Sequence, residues 1–177
     1  MDWSHLFEYI GKFVTGGAAI VGASWALLKW KKQDELFPRI NFEVSANFLG
    51  FQDGTIIAEL VAVLENKGQV PLKISDFSFK LRGLRVSDEL KKGPDAIRGQ
   101  LLFPEVLEQG DFFPRSWNYS FVYPGVRTEY NFVTAIPQNV AFVRMEAGFV
   151  YLGHRNDSHH AAKILAVPSK DINEATS

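Results

Sequence analysis

Between Lys12 and Lys29 the chain carries no charged residue, and the run Phe13 to Trp30, FVTGGAAIVGASWALLKW, has too little polarity to sit easily in water. At about 1.5 Å per residue this uncharged stretch covers roughly 24 Å of helix, a little short of the ~30 Å hydrocarbon layer. The flanks close the gap: Lys12 and Lys29 can extend their amines toward headgroups, and Tyr9, Trp25 and Trp30 are rings favoured near an interface. A transmembrane helix is therefore expected over residues 13–32, with its basic flank, after an interfacial segment over 1–12 and before a linker over 33–38.

A cleaved signal peptide and a buried core helix are the alternatives, and the flanks disfavour both. Met1 to Gly11 contains Asp2 and Glu8 but no Lys or Arg, and Lys29, Lys31 and Lys32 follow the apolar run without a small-x-small cleavage site. A core helix would show a polar stripe, absent here. The lysine asymmetry across the span predicts a single-pass protein of the cell membrane, its N-terminus outside and its C-terminal domain cytoplasmic. Ala18, Gly22 and Ala26 recur at every fourth position. Such a small-residue face lets helices approach closely, so homo-oligomerisation through the span is expected.

Removing the span leaves about 130 residues of the 177, the size of one ordinary domain. A formal net charge of -1 lacks the basic balance that nucleic-acid binding relies on, and the absence of cysteine removes disulfides, thiolate nucleophiles and thiolate metal sites.

After Pro38 the pattern changes to period two. Ile40, Phe42, Val44, Ala46 and Phe48 alternate with polar residues, Asp53-Gly54 marks a hairpin turn, and Thr55 to Glu65 follows as a second strand. That strand is apolar on both faces, at Ile56, Ala58 and Leu60 but also at Ile57, Val61 and Val63, as expected of a central strand or of one whose second face is covered by another segment. Further strands are predicted over 72–84, at 101–103, over 117–123, 128–136, 140–152 and 161–167, with one helical turn at Ser87 to Pro94. Trp117, Tyr119, Phe121, Phe77, Phe79 and Phe149 are expected to point inward. The sequence thus predicts a mainly β domain over 39–167, an antiparallel sandwich of seven or eight strands, and a disordered polar tail over 168–177.

The turn Glu65-Asn66-Lys67-Gly68, followed by Pro71-Leu72 and Ile74-x-x-Phe77-x-Phe79-x-Leu81, resembles the immunoglobulin-like and fibronectin-like modules. The order of span, KWKK, ENKG turn, Leu102-Phe103-Pro104, Trp117, Pro124-Gly125 and Ile136-Pro137 is similar to that of uncharacterised small bacterial single-pass membrane proteins. The resemblance covers nearly the whole chain and implies an N-terminal transmembrane helix followed by an Ig-like sandwich. It implies no activity.

His154, Asp157, His159 and His160 have metal-ligand character, but adjacent histidines on a strand face opposite ways and the set lacks a ligand spacing, so an exposed polar hairpin is expected instead. With no nucleophile elbow and no phosphate-cradling loop, neither catalysis nor a cofactor is expected. Lys80, Arg82 and Arg85 form a local basic patch, a candidate for an anionic ligand or lipid, although Asp88 and Glu89 interrupt the run and favour a solvated strand face. Ile57, Val61 and Val63 are the candidate interaction face.

The composite expectation is a membrane-anchored cytoplasmic sandwich acting as a protein-interaction or scaffold module for an unknown protein partner. The alternative is a ligand-sensing membrane effector that oligomerises through its transmembrane helix.

Overall fold

The alternation that begins after Pro38 becomes the first of eight strands in a computed structural model, which describes residues 17–18, 20–29, 39–93, 99–152 and 157–169. The chain divides into two units, Met1–Pro38 and Arg39–Ser177.

In the first unit the described helical residues are 17–18 and 20–29, all exposed, and the Lys29 ammonium lies 4.9 Å from the centroid of the Trp25 ring. At ~1.5 Å per residue, positions 17–29 reach only about 20 Å. No helix among the described residues is long and apolar enough to cross a membrane. An uncharged run bounds where a helix can go, but it does not set the helix's length. This overturns the expected single-pass anchor, the outside N-terminus with a cytoplasmic domain, and the membrane as partner. The scaffold reading and the effector reading both hung on that anchor and fall with it, as does the likeness to single-pass membrane proteins. Ala18, Gly22 and Ala26 lie exposed on the described helix, and a Cβ added at Gly22 would touch none of the described atoms within 4 Å. Residues 1–16, including the proposed interfacial segment, lie outside the described residues, as do the linker and the last eight positions.

The second unit is mainly β, as expected in coarse form, with two sheets that are not closed into a barrel. Strands β1 (Ile40–Gln52), β2 (Thr55–Asn66) and β6 (Arg127–Pro137) form one sheet in the order β1-β2-β6. The other contains β4 (Glu105–Asp111), β3 (Leu72–Arg85), β7 (Val140–Tyr151) and β8 (Ser158–Ala166) in that order, with β5 (Ser120–Val122) also paired to β3. Every strand pairing is antiparallel. The two-residue period puts Phe42, Val44, Leu60 and Leu64 of one sheet into the same core as Phe77, Phe79, Met145 and Phe149 of the other. Phe42, Phe77 and Phe149 meet ring to ring at centroid separations of 5.1–5.8 Å.

The aromatic stretch 117–123 departs from expectation. Only residues 120–122 form a strand, and its phase is inverted: Val122 is fully buried, while Trp117, Tyr119, Phe121 and Tyr123 are about half exposed. Phe112 and Phe113 have taken the space instead, packing on Phe77 at 4.9 and 5.6 Å. The helical turn expected at Ser87 is replaced by an ordinary turn and an isolated bridge between Lys92 and Leu101.

One buried polar residue ties this end together. The Asn66 side chain donates to the carbonyls of Val70 (2.8 Å) and Val122 (2.9 Å) and accepts from the Gly68 amide (2.8 Å), so the β2–β3 turn and β5 hang on one amide group.

Candidate functional site

Strand β3 carries the geometry that opens a pocket. One edge is paired with β7, whereas the other is shared: β5 pairs with Leu72–Ile74 and β4 with Ser78–Gly83. Between those partners the strand bulges. Ser75 faces Val150 and Ser78 faces Gly148, so two residues of β3, Asp76 and Phe77, are set against a single position of β7. Asp76 takes a left-handed conformation (φ 51°), its carboxylate accepting from the Ser75 hydroxyl at 3.3 Å. The extra residue resets the phase, which sends Phe77 into the core and Asp76 out into solvent.

Beside the bulge lies a cavity of about 640 Å³. Its apolar side is made by Phe77, Phe113 and Phe132, and its mouth is flanked by the exposed indole of Trp117. The polar groups around it come from three places: Asp76 on the bulge, Gln109 and Asp111 at the end of β4, and Arg115 and Asn118 in the loop before β5. That loop is held by the Phe112 amide on the Phe77 carbonyl (2.8 Å) and the Trp117 amide on the Pro114 carbonyl (2.8 Å). A mixed set of donors and acceptors on an open aromatic wall is what fixes a ligand's orientation in a pocket of this size. From Trp117 the exposed rings continue at every second residue. Tyr119 and Phe121 meet edge-to-face at 5.6 Å, Phe121 and Tyr123 lie 6.1 Å apart, and the Lys73 ammonium sits 3.7 Å from the centroid of Tyr119.

The residues singled out from sequence lie elsewhere. Ile57, Val61 and Val63 share the outer face of the three-stranded sheet, but cross-strand neighbours cover them: Ser45 and Asn131 flank Val61, and Glu43 and Glu129 flank Val63. Val61 is consequently 5% exposed, and the trio is not an open apolar patch. Val61 and Val63 line a separate depression of about 480 Å³ together with Arg127 and residues 161–163 of β8.

The basic trio is split. Lys80 and Arg82 point outward on β3, where the Arg82 guanidinium reaches the Phe103 carbonyl at 3.3 Å. Arg85 is clamped by both oxygens of Glu105, and this pairing holds the Glu105 carboxyl below its ordinary range. Of the histidine set, His154 lies outside the described residues, and the described ones include no group of three that could hold a metal. His159 and His160 do face opposite ways. His159 turns inward to the Tyr151 hydroxyl (2.8 Å), and His160 lies on the outer face with the Ser158 hydroxyl at 3.1 Å. Burial pushes the Tyr151 hydroxyl up to about 12. Burial, then the neighbouring His160, lowers the pKa of His159.

A scan against protein-family models gives no match, and a search of the curated proteins gives none. Among solved structures the chain is similar to a protein described as ApaA from Bordetella pertussis, at 13% identity over 74% of this chain and 95% of that one, with a TM-score of 0.47. It is also similar to the structural-genomics target SoR45 (14% identity, 74% and 89% covered, TM-score 0.46) and to a protein described as late embryogenesis abundant (11%, 90% and 90%, TM-score 0.41). Likenesses this weak bring neither a ligand nor an activity to this chain.

Proposed function

We propose that the domain binds a saccharide at the split edge of β3 and does not transform it. The observation that carries this reading is the convergence of Asp76, Gln109, Asp111, Arg115 and Asn118 on a cavity walled by Trp117. A sugar presents apolar C–H faces and a rim of hydroxyls, each both donor and acceptor. An indole face suits the first, and carboxylates, amides and a guanidinium suit the second. A strained aspartate beside the cavity is in keeping with this reading, because left-handed non-glycine residues gather where a side chain must be aimed. Asp76 and Asp111 both stand in solvent, without the apolar surroundings in which a glycosidic acid works.

Titration of the full chain with a panel of methyl glycosides and short oligosaccharides, followed by tryptophan fluorescence and amide NMR shifts, tests the proposal. The expected result is a saturable change at Trp117 and Asn118. It should vanish in Trp117→Ala and Asp111→Ala while the melting temperature stays put, since both residues are exposed. A flat response across the panel, or binding to free nucleosides in place of sugars, refutes it. Appearance of new reducing ends would refute the binding-only reading.

A further inference from the structure

A second depression, of about 440 Å³, lies on the outer face of the four-stranded path, lined by Ser78 and Lys80 of β3, Arg144, Glu146 and Gly148 of β7, and His160 of β8. Its charges are unevenly settled. In the β3–β7 register Arg82 stands directly opposite Arg144, a like-charge pairing that opposes sheet formation unless something relieves it. Arg82 leans away to the Phe103 carbonyl, and Arg144 is bound by Glu146 at 2.6 Å. Lys80, opposite Glu146 in the register, is half-buried and makes no ion pair among the described residues. One carboxylate is thus left to serve three cations.

The floor of the depression is built for close approach. Gly148 is opposite His160, and a Cβ placed there would fall 2.3 Å from His160 Nδ1 and 2.7 Å from its Cε1. The imidazole therefore lies across β7 where a side chain would otherwise stand, and the Ser158 hydroxyl holds its Nε2 at 3.1 Å. Around that floor, Lys80, Arg144 and the Ser78 hydroxyl supply donors, and three donors on a shallow cationic surface match the oxygens of a phosphate group.

We infer that this depression is a second binding site, for a small phosphate-bearing anion, independent of the saccharide pocket. The anion takes Lys80 as its first partner and competes with Glu146 for Arg144, and it relieves the repulsion across β3 and β7.

The test is titration of the full chain with inorganic pyrophosphate, read by amide NMR shifts. The expected result is a saturable response confined to Ser78, Lys80, Arg144, Gly148 and His160, weakened about tenfold in both Lys80→Gln and Arg144→Gln and further by added salt. Gly148→Ala serves as a positional variant. Its methyl displaces the His160 ring and comes to 3.2 Å from the His159 carbonyl, so β8 must give by a few tenths of an ångström, and a melting curve run beside the titration separates lost affinity from lost fold. Vesicles containing phosphatidic acid form a second arm that separates a lipid headgroup from a free phosphate. No saturable response by roughly 10 mM pyrophosphate, equal affinity in Lys80→Gln and the parent, or binding to vesicles alone would each overturn the inference.

Discussion

Asn66 offers the sharpest test of how this domain is held together. Its side chain is fully buried and makes three hydrogen bonds, two as donor and one as acceptor, to backbone groups of two different segments. Asn66→Ala removes all three at once and puts nothing in their place. The Val122 carbonyl lies in a buried bond, and orphaning a group like that costs about 1–3 kcal/mol. The Val70 and Gly68 bonds are only part-buried, so water can repair them, and each loses roughly 1 kcal/mol. The sum is about 3–5 kcal/mol, which for a unit of this size lowers the melting temperature by roughly 10–20 °C.

Asn66→Asp discriminates the hydrogen-bond argument from simple loss of volume. The carboxylate keeps an acceptor for the Gly68 amide but turns acceptor oxygens toward the two carbonyls that Nδ2 now serves, so it should be worse than alanine. Thermal unfolding by circular dichroism, together with amide exchange at Val122, reads both. A drop below about 3 °C for Asn66→Ala, or an aspartate better tolerated than alanine, would refute the reasoning.

Three further outcomes rest on the strained and buried groups. Asp76→Gly should change stability little, because relief of the left-handed strain offsets the entropy cost of glycine, whereas Asp76→Ala keeps the strain and should lose about 1 kcal/mol; both should lose saccharide binding, and a Gly variant less stable than the Ala variant by denaturant melts contradicts the account. His159 has its pKa lowered in the fold, so its contribution is intact above the ordinary value near 6.5 and is lost as pH falls below it, and His159→Gln should flatten the decline in urea midpoint between about pH 7 and 5. Tyr151 works in the opposite direction: its neutral form is favoured up to about 12, so stability should fall as pH rises from the ordinary value of 10.0 toward that limit, and Tyr151→Phe should remove the slope.

The sheets were legible because their signal is local. Period-two alternation at Ile40–Phe48 and the Asp53-Gly54 turn needed no tertiary information, and β2 was recognisable as central from its two apolar faces. Strand β4 was missed: Glu105–Asp111 contains few residues that favour strands, and its pairing comes from the edge of β3, which no local pattern announces. The phase of 117–123 is not legible in the sequence for a related reason. Alternation with mostly polar neighbours points the rings inward, but Phe112 and Phe113 already fill the space beside Phe77, and only the smaller Val122 fits beneath β5. Of the pocket, a single trace was present. In Ile74-x-x-Phe77-x-Phe79 the apolar spacing slips from two to three, and that slip is the bulge at Asp76. The remaining pocket residues sit on a strand end and a loop, where side-chain direction follows from packing rather than from period.

The bulge and the pocket are two consequences of one interruption in pairing. A strand that served a single partner along its second edge would have a continuous ladder there, and nothing would be left to recess. Because β5 covers only Leu72–Ile74 and β4 resumes at Ser78, the three residues between them have no strand beside them on that side. The Phe77 carbonyl is satisfied by the Phe112 amide, contributed by the chain as it leaves β4, so the gap carries no penalty in that hydrogen bond. The freed Ser75–Phe77 segment can then take an extra residue. That residue turns Asp76 outward beside Asp111, while Phe77 remains buried beneath the cavity as part of its floor. Core phase and ligand-facing chemistry therefore meet at one extra residue, and a deletion at position 76 would separate them: the spacing from Ile74 to Phe77 would return to two, which keeps the ring of Phe77 opposite Phe149 and in the core, while the carboxylate would be gone from the cavity.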